Sequence, residues 1–348
     1  MICMYLCAAV ASTTFKAWCY LSSCRLPAHH SSYVCQPAEA KDEKKTRNVL
    51  LAMGVIGGVS FLVAVVHYIH LSPYPVMLSQ LAGKPAIGGL SHFFGAFGQN
   101  SKLLRGYVSL PEQQPLDLAC QQCSIISSSG QMLGMKLGAE IDQSECVWRM
   151  NNAPTEGFES DVGSKTTVRV VSHTSTPLLL RQRAFLSGLN SSFHVFWGPQ
   201  RNMRRDGKGI IYNMLRTVHN HFPAAKIYTL TEEQMRLCDI AFKRETGKDR
   251  VLSGSYLSTG WFTFILAMEA CSSIHVYGMI NDTYCRTEGH RNVPYHYYEP
   301  GSQEECREYY MHENARYGGH RFITEKTVFA KWAKERNIKF SNPAWRVS

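Results

Sequence analysis

Residues 123–134 read CSIISSSGQMLG, and residues 257–279 read LSTGWFTFILAMEACSSIHVYGM. The first is a short apolar run that stops in a turn of small residues, Ser127-Ser128-Ser129-Gly130, before helical spacing begins. The second reverses that order. Ser258 or Thr259 stands where an N-cap belongs, an apolar helix follows, and SIHVYGM then reads as a strand. The same texture continues on both sides. Strand candidates fall at 123–127, 146–150, 167–172, 193–197, 226–230 and 273–277, with helix candidates at 177–189, 209–221, 231–245, 259–271 and 324–336. Short apolar strands interleaved with amphipathic helices predict an α/β domain with a largely parallel sheet. Such sheets take ligands in the crevice beyond the carboxyl ends of their strands.

The whole chain has 348 residues, 45% hydrophobic and 18% charged, which is enough apolar matter for a core and excludes wholesale disorder. No segment repeats at a fixed period, so solenoids and propellers are set aside. The formal charge of +10 predicts an anionic partner. Lys and Arg are scattered and no RNA-binding aromatic motif occurs, so an acidic small molecule or glycan is preferred to nucleic acid. Of the 12 cysteines, five precede residue 36 and seven lie between Cys120 and Cys306. In an oxidising compartment the second group would form disulfides with one thiol left over. Cys120-Gln-Gln-Cys123 is a CxxC pair, but no second pair of similar spacing completes a zinc site.

Residues 49–69 (VLLAMGVIGGVSFLVAVVHYI) hold 21 residues without a formal charge, long enough as a helix to span a hydrocarbon core of about 30 Å. A buried core helix is the alternative, though one this long usually shows a polar face. Lys41, Lys44, Lys45 and Arg47 precede the stretch and the next basic residue after it is Lys84, which predicts a cytosolic N-terminus. The stretch is too long and starts too late for a signal peptide. The expected organisation is a cytoplasmic tail at 1–48, a signal-anchor helix at 49–69, a Pro/Gly/Ser-rich stem at 70–118 and a lumenal domain at 119–348. The sequons at Asn190 and Asn281 fall on the lumenal side of this single-pass type II arrangement.

Small side chains at Ser127–Gly130 leave backbone N–H groups free to approach a phosphate or ribose. The turn is not GxGxxG, no GxxxxGK[ST] occurs, and simple strand–helix capping explains each turn taken alone. Two such turns in one α/β domain point to a nucleotide crevice. A histidine-rich stretch follows, Tyr295-His-Tyr-Tyr-Glu299 and then His320-Arg-Phe-Ile-Thr-Glu325, for which packed or surface histidines are the plainer reading. His312-Glu313 lacks the second histidine of a zinc protease motif, and the chain contains no Asp-x-Asp of the kind that holds a divalent ion against a nucleotide diphosphate.

Taken in order, these segments resemble the sialyl motifs of the animal sialyltransferases. CSIISSSGQMLG, GAEIDQSECVWRMNNAPT and GFESDVGSKTTVRVVSHTS, within Cys120–Ser175, match the large motif, and Tyr256–Met279 the small one. YHYYEP is similar to the third motif, and His320 with Glu325 to the very short His-x4-Glu motif. RMNNAP, KRETGKDR, GSYLSTGWFTF and MINDTYC look most like the GalNAc α-2,6-sialyltransferases, subfamily type III.

The resemblance implies a Rossmann-like, single-domain variant of the glycosyltransferase A class on a Golgi membrane, with no metal and no cofactor beyond the donor. The implied reaction is inverting, metal-independent transfer of sialic acid from CMP-sialic acid to the 6-hydroxyl of GalNAc in sialyl-α-2,3-galactosyl-β-1,3-GalNAc. The acceptors would be O-glycans and gangliosides, GM1b becoming GD1-α. A type IV-like enzyme preferring O-glycoproteins, or a catalytically silent type II glycan-binding protein, is the alternative. By the same resemblance His320 is the base, with Glu325 helping to orient its segment, and His296 donates to the departing phosphate. Ser129 belongs to the first donor turn, Gln131 and Asn151 contact CMP, Ser258, Thr259 and Gly260 hold ribose and phosphate, and Gly278 packs under the cytosine. Cys123 would bond Cys271; the partners of Cys120, Cys285 and Cys306 stay open, Cys285 with Cys306 being a guess that the resemblance does not supply.

Overall fold

The computed structural model describes residues 102–346. Nine strands, β1 (Leu103–Ser109), β2 (Pro115–Asp117), β3 (Cys120–Ile126), β4 (Cys146–Met150), β5 (Val168–Ser172), β6 (Phe193–Trp197), β7 (Lys226–Leu230), β8 (Cys271–Tyr277) and β9 (Ile338–Ser341), form one sheet. The longer helices are α1 (Ile210–His221), α2 (Glu232–Thr246), α3 (Thr259–Ala270), α4 (Glu305–Glu313) and α5 (Phe322–Glu335). The strand order is β2-β1-β7-β6-β5-β4-β3-β8-β9, with every pair parallel from β7 to β9 and only β1 and β2 antiparallel. This is the mostly parallel α/β sheet read from the sequence. All five residues of β4 and of β5 are buried, as a sheet covered on both faces requires. From β3 the chain steps outward through β4, β5, β6 and β7, then returns to lay β8 on the other side. The β3/β8 boundary is therefore the topological switch point.

The apolar run WFTFILAMEA has no polar face because α3 is enclosed. Ten of its twelve residues are buried. Phe264 stacks on Phe329 of α5 at 4.0 Å, and Trp261 lies 4.9 Å from Trp332, so α5 covers it from outside.

Two expectations change. Residues 103–117, assigned to the stem, form β1 and β2 at the sheet edge, where Leu104, Tyr107, Val108 and Leu116 are buried. Pro111 and Pro115 made this stretch read as linker, but proline is tolerated at a turn and on an edge strand. The helix expected at 177–189 is divided into Thr176–Leu179 and Arg183–Ser187. Helix α4 and strand β9 had no counterpart in the sequence reading. The tail, the 49–69 segment and the stem up to residue 101 lie outside the described residues. Among those described, no helix is long and apolar enough to cross a membrane.

Disulfides join Cys123 to Cys271, Cys120 to Cys146 and Cys285 to Cys306, leaving Cys238 as the buried free thiol among the described residues. Both cysteines of the CxxC pair are thus committed to disulfides. Asn190 is exposed, whereas Asn281 accepts from the backbone N–H and the hydroxyl of Thr283, both at 3.1 Å.

Candidate active site

A cavity of about 500 Å³ opens beyond the carboxyl ends of β3 to β6, on the side the switch point predicts. Ser127, Ser128 and Ser129 line it from the first turn and Ser258, Thr259 and Gly260 from the second. Asn151, His296, His320 and Glu325, also expected, line it as well. Residues up to 198 positions apart in the motifs, Ser127 and Glu325, thus meet in one space.

The second turn is the start of α3. Ser258 is the N-cap of α3, its hydroxyl accepting from the Trp261 N–H at 3.1 Å. The first-turn N–H groups of Thr259 and Gly260 have no helical acceptor, and the α3 dipole adds partial positive charge there. Asn151, after β4, sits at φ 51°, a left-handed conformation that asparagine tolerates. Its side-chain oxygen accepts from the Ser172 N–H (3.0 Å) and the Thr259 hydroxyl (3.2 Å). Because the N–H of Ser172 can only donate, the amide orientation is fixed, and the NH2 group remains for a ligand. Arg169 holds this loop from beneath through the carbonyls of Asn151 and Ala153, both at 2.9 Å.

His320 pairs with Tyr256 in an isolated parallel bridge, and its Nδ1 lies 3.1 Å from the Tyr256 carbonyl oxygen. A carbonyl only accepts, so Nδ1 carries the proton and Nε2 holds the lone pair. Gly319, at φ 72°, brings the chain so close to His312 that a Cβ there would meet its carbonyl oxygen at 2.7 Å. Loss of hydration, reinforced by the neighbouring His312, lowers the pKa of His320 to about 4, so the imidazole is neutral at neutral pH. His296 Nδ1 lies 2.7 Å from the Glu299 carboxylate, which leaves its Nε2 free.

Glu325 is tied to the second turn. Its carboxylate makes no hydrogen bond to His320; one oxygen accepts the Ser258 N–H at 2.8 Å and the other the Ser258 hydroxyl. Gln131 and Gly278 fall elsewhere, since neither lines the cavity. Gln131 is buried, its amide donating to Glu305 at 3.1 Å, while Met132 fills the space where a Cβ on Gly278 would lie. Both support the first turn from behind.

Lys326 is a cavity residue the sequence reading passed over. Its ammonium is 3.9 Å from the Tyr309 ring centroid, with no carboxylate within 4.0 Å among the described residues. Burial lowers its pKa to about 8 against the pull of Glu305 and Glu325, and burial raises that of Glu325 to about 7. The signal was its spacing. Phe322, Glu325, Lys326, Phe329 and Trp332 are all buried and share one helical stripe, on which an isolated lysine is out of place.

Residues 90–336 match the family described as glycosyltransferase family 29 (sialyltransferase). The chain belongs to this family. It is 54% identical to the α-N-acetylgalactosaminide α-2,6-sialyltransferase 3 of Homo sapiens, over 87% of this chain and 98% of the relative. It is 50% identical to the α-N-acetyl-neuraminyl-2,3-β-galactosyl-1,3-N-acetyl-galactosaminide α-2,6-sialyltransferase of Homo sapiens, over 76% of this chain and 84% of the relative. A solved mammalian sialyltransferase, in complex with Gal-β-1-3GalNAc-ortho-nitrophenol, aligns over 64% of this chain and 69% of its own, with TM-score 0.42 and 23% identity. As a family 29 member the chain is an enzyme of sialic acid transfer.

Proposed function

We propose that this sialyltransferase moves sialic acid from CMP-sialic acid to the 6-hydroxyl of GalNAc in sialyl-α-2,3-galactosyl-β-1,3-GalNAc, on O-glycans and on gangliosides such as GM1b. The observation that carries this reading is the convergence of Asn151, the Ser258–Gly260 turn, His296 and His320 on one cavity. The names of the similar proteins support the linkage and the sialylated acceptor. By the same reading, residues 49–69 anchor the enzyme in a Golgi membrane with this domain in the lumen.

The donor phosphate faces the N-terminus of α3, where the free N–H groups of Thr259 and Gly260 and the Lys326 ammonium oppose its charge. The Asn151 NH2 group bonds the nucleotide. Nε2 of His320 accepts the proton of the acceptor hydroxyl as that oxygen attacks the anomeric carbon, and the bond to the CMP oxygen breaks on the opposite face. His296 presents Nε2 to the departing phosphate. These groups supply the charge stabilisation that metal-dependent transferases take from a divalent ion, so the reaction is read as metal-independent.

The test is to incubate the full-length protein with CMP-sialic acid and either GM1b or a sialylated core-1 glycopeptide, then determine the new linkage. Substitution at the GalNAc 6-position on both acceptors is expected. Transfer to the glycopeptide alone would instead favour the type IV-like specificity, and donor binding without transfer the silent glycan-binding protein.

A further inference from the structure

Two guanidinium groups line the cavity, and their situations differ. Arg250 is forked onto Asp239, with both N–O distances 2.5 Å. Arg201, in the short helical turn after β6, makes no hydrogen bond or ion pair among the described residues and is exposed. Arg201 also lines a second hollow together with Arg204 and Arg205. Within that hollow the Asp206 carboxylate is already engaged by Arg204. Beside Arg201 on the main cavity wall stands His173, whose Nδ1 is buried and has no hydrogen-bond partner. Gly198 permits this proximity, since a Cβ there would meet the Cβ of His173 at 2.6 Å. An unpaired guanidinium and an imidazole with an unpartnered buried nitrogen therefore line one cavity, and Arg201 also lines a second hollow with two further arginines.

We infer that Arg201, assisted by His173, binds the carboxylate of the sialic acid already carried by the acceptor, and so sets the preference for sialylated over neutral acceptors. This rests on the function proposed above. An acceptor whose reacting hydroxyl belongs to GalNAc presents its single fixed negative charge two sugars away, so that charge needs a cation away from the donor phosphate. The Ser258–Gly260 turn and Lys326 serve the donor; Arg201 stands on the wall built by β5 and β6. A planar guanidinium matches a carboxylate in a two-point fork, which an ammonium or a distant helix end does not.

The experiment pairs Arg201→Ala with a chemical change in the acceptor, the methyl ester of its sialic acid. In the wild-type protein, esterification is expected to lower kcat/KM by about tenfold or more, consistent with loss of a charge-assisted pair. In Arg201→Ala the free acid is expected to fall by a similar factor, while acid and ester become nearly equal. Arg201→Lys should recover only part of the difference. The coupling between side chain and carboxylate is then read directly from the four rates. Equal losses on acid and ester, or no loss on either, would overturn the assignment of Arg201. Wild-type protein that hydrolyses CMP-sialic acid but sialylates no sialylated acceptor would instead defeat the acceptor reading on which it rests.

Discussion

Glu325 accepts both the backbone N–H and the hydroxyl of Ser258, tying the start of α5 to the N-cap of α3. The acid of the very short motif thus acts on the turn before α3, 67 residues earlier in the chain. Glu325→Ala leaves a buried N–H without an acceptor, at a cost of about 1–3 kcal/mol. The expected result is a lower melting temperature and a raised donor KM, with kcat less affected; Glu325→Gln should retain part of the affinity. CMP titration of both variants by calorimetry checks this, and unchanged CMP affinity in Glu325→Ala would contradict the role.

His320→Ala should lower kcat by about 10²–10⁴ while CMP still binds. The pH profile carries a sharper test. An unperturbed histidine, with a pKa of about 6.5, would lose half its basic form at that pH. With the pKa lowered to about 4, the base stays neutral well below this, so the limb of kcat/KM due to His320 should be flat from pH 7 to 5.5 and fall only as pH approaches 4. The unfolded chain takes up this proton first, so the same shift removes stability as pH falls from about 6.5. Replacing His312 by Gln should move the acid limb upward.

Opening the Cys123–Cys271 disulfide, which spans 148 residues, should cost up to about 5 kcal/mol in the chain-entropy picture. The Cys123→Ser/Cys271→Ser variant is expected to melt well below the wild type. Non-reducing peptide mapping should find Cys238 as the alkylatable thiol of residues 102–346 once the protein is unfolded. Recovery of Cys123 in alkylated form would refute the pairing.

Turnover is expected to survive EDTA. Lys326→Met, by contrast, should raise the donor KM by about tenfold or more, because no other ammonium lines the cavity among the described residues. Steady-state rates across a chelator series check both halves, and rescue of chelated enzyme by added Mn²⁺ would overturn the metal-independent reading.

The core of the sheet was legible because its strands are continuous apolar runs between helices with clear caps, as at Ser258. The β1–β2 hairpin was not, since Pro111 and Pro115 carry the signature of a linker and the buried positions of β1, Leu104, Tyr107 and Val108, do not alternate. Motifs located the cavity but not the direction of each side chain. Gln131 lies two residues after the cavity-lining Ser129 yet turns inward to Glu305, a residue of the unanticipated α4. Sequence order alone says nothing of which side of a tight turn faces the ligand. Lys326 was legible in principle, since a lysine between Phe322 and Phe329 breaks an apolar stripe.

Placing β8 beside β3 sets an order on biosynthesis. Until residues 271–277 have left the ribosome, β3 pairs only with β4 and presents a bare edge of N–H and C=O groups. Cys123 waits on that edge with its partner unmade, while Cys146 is already available. The nascent chain is therefore vulnerable to mispairing for the time needed to translate more than a hundred codons. Chaperone and disulfide-isomerase supply during that interval, more than the stability of the finished domain, should govern how much active enzyme a cell produces.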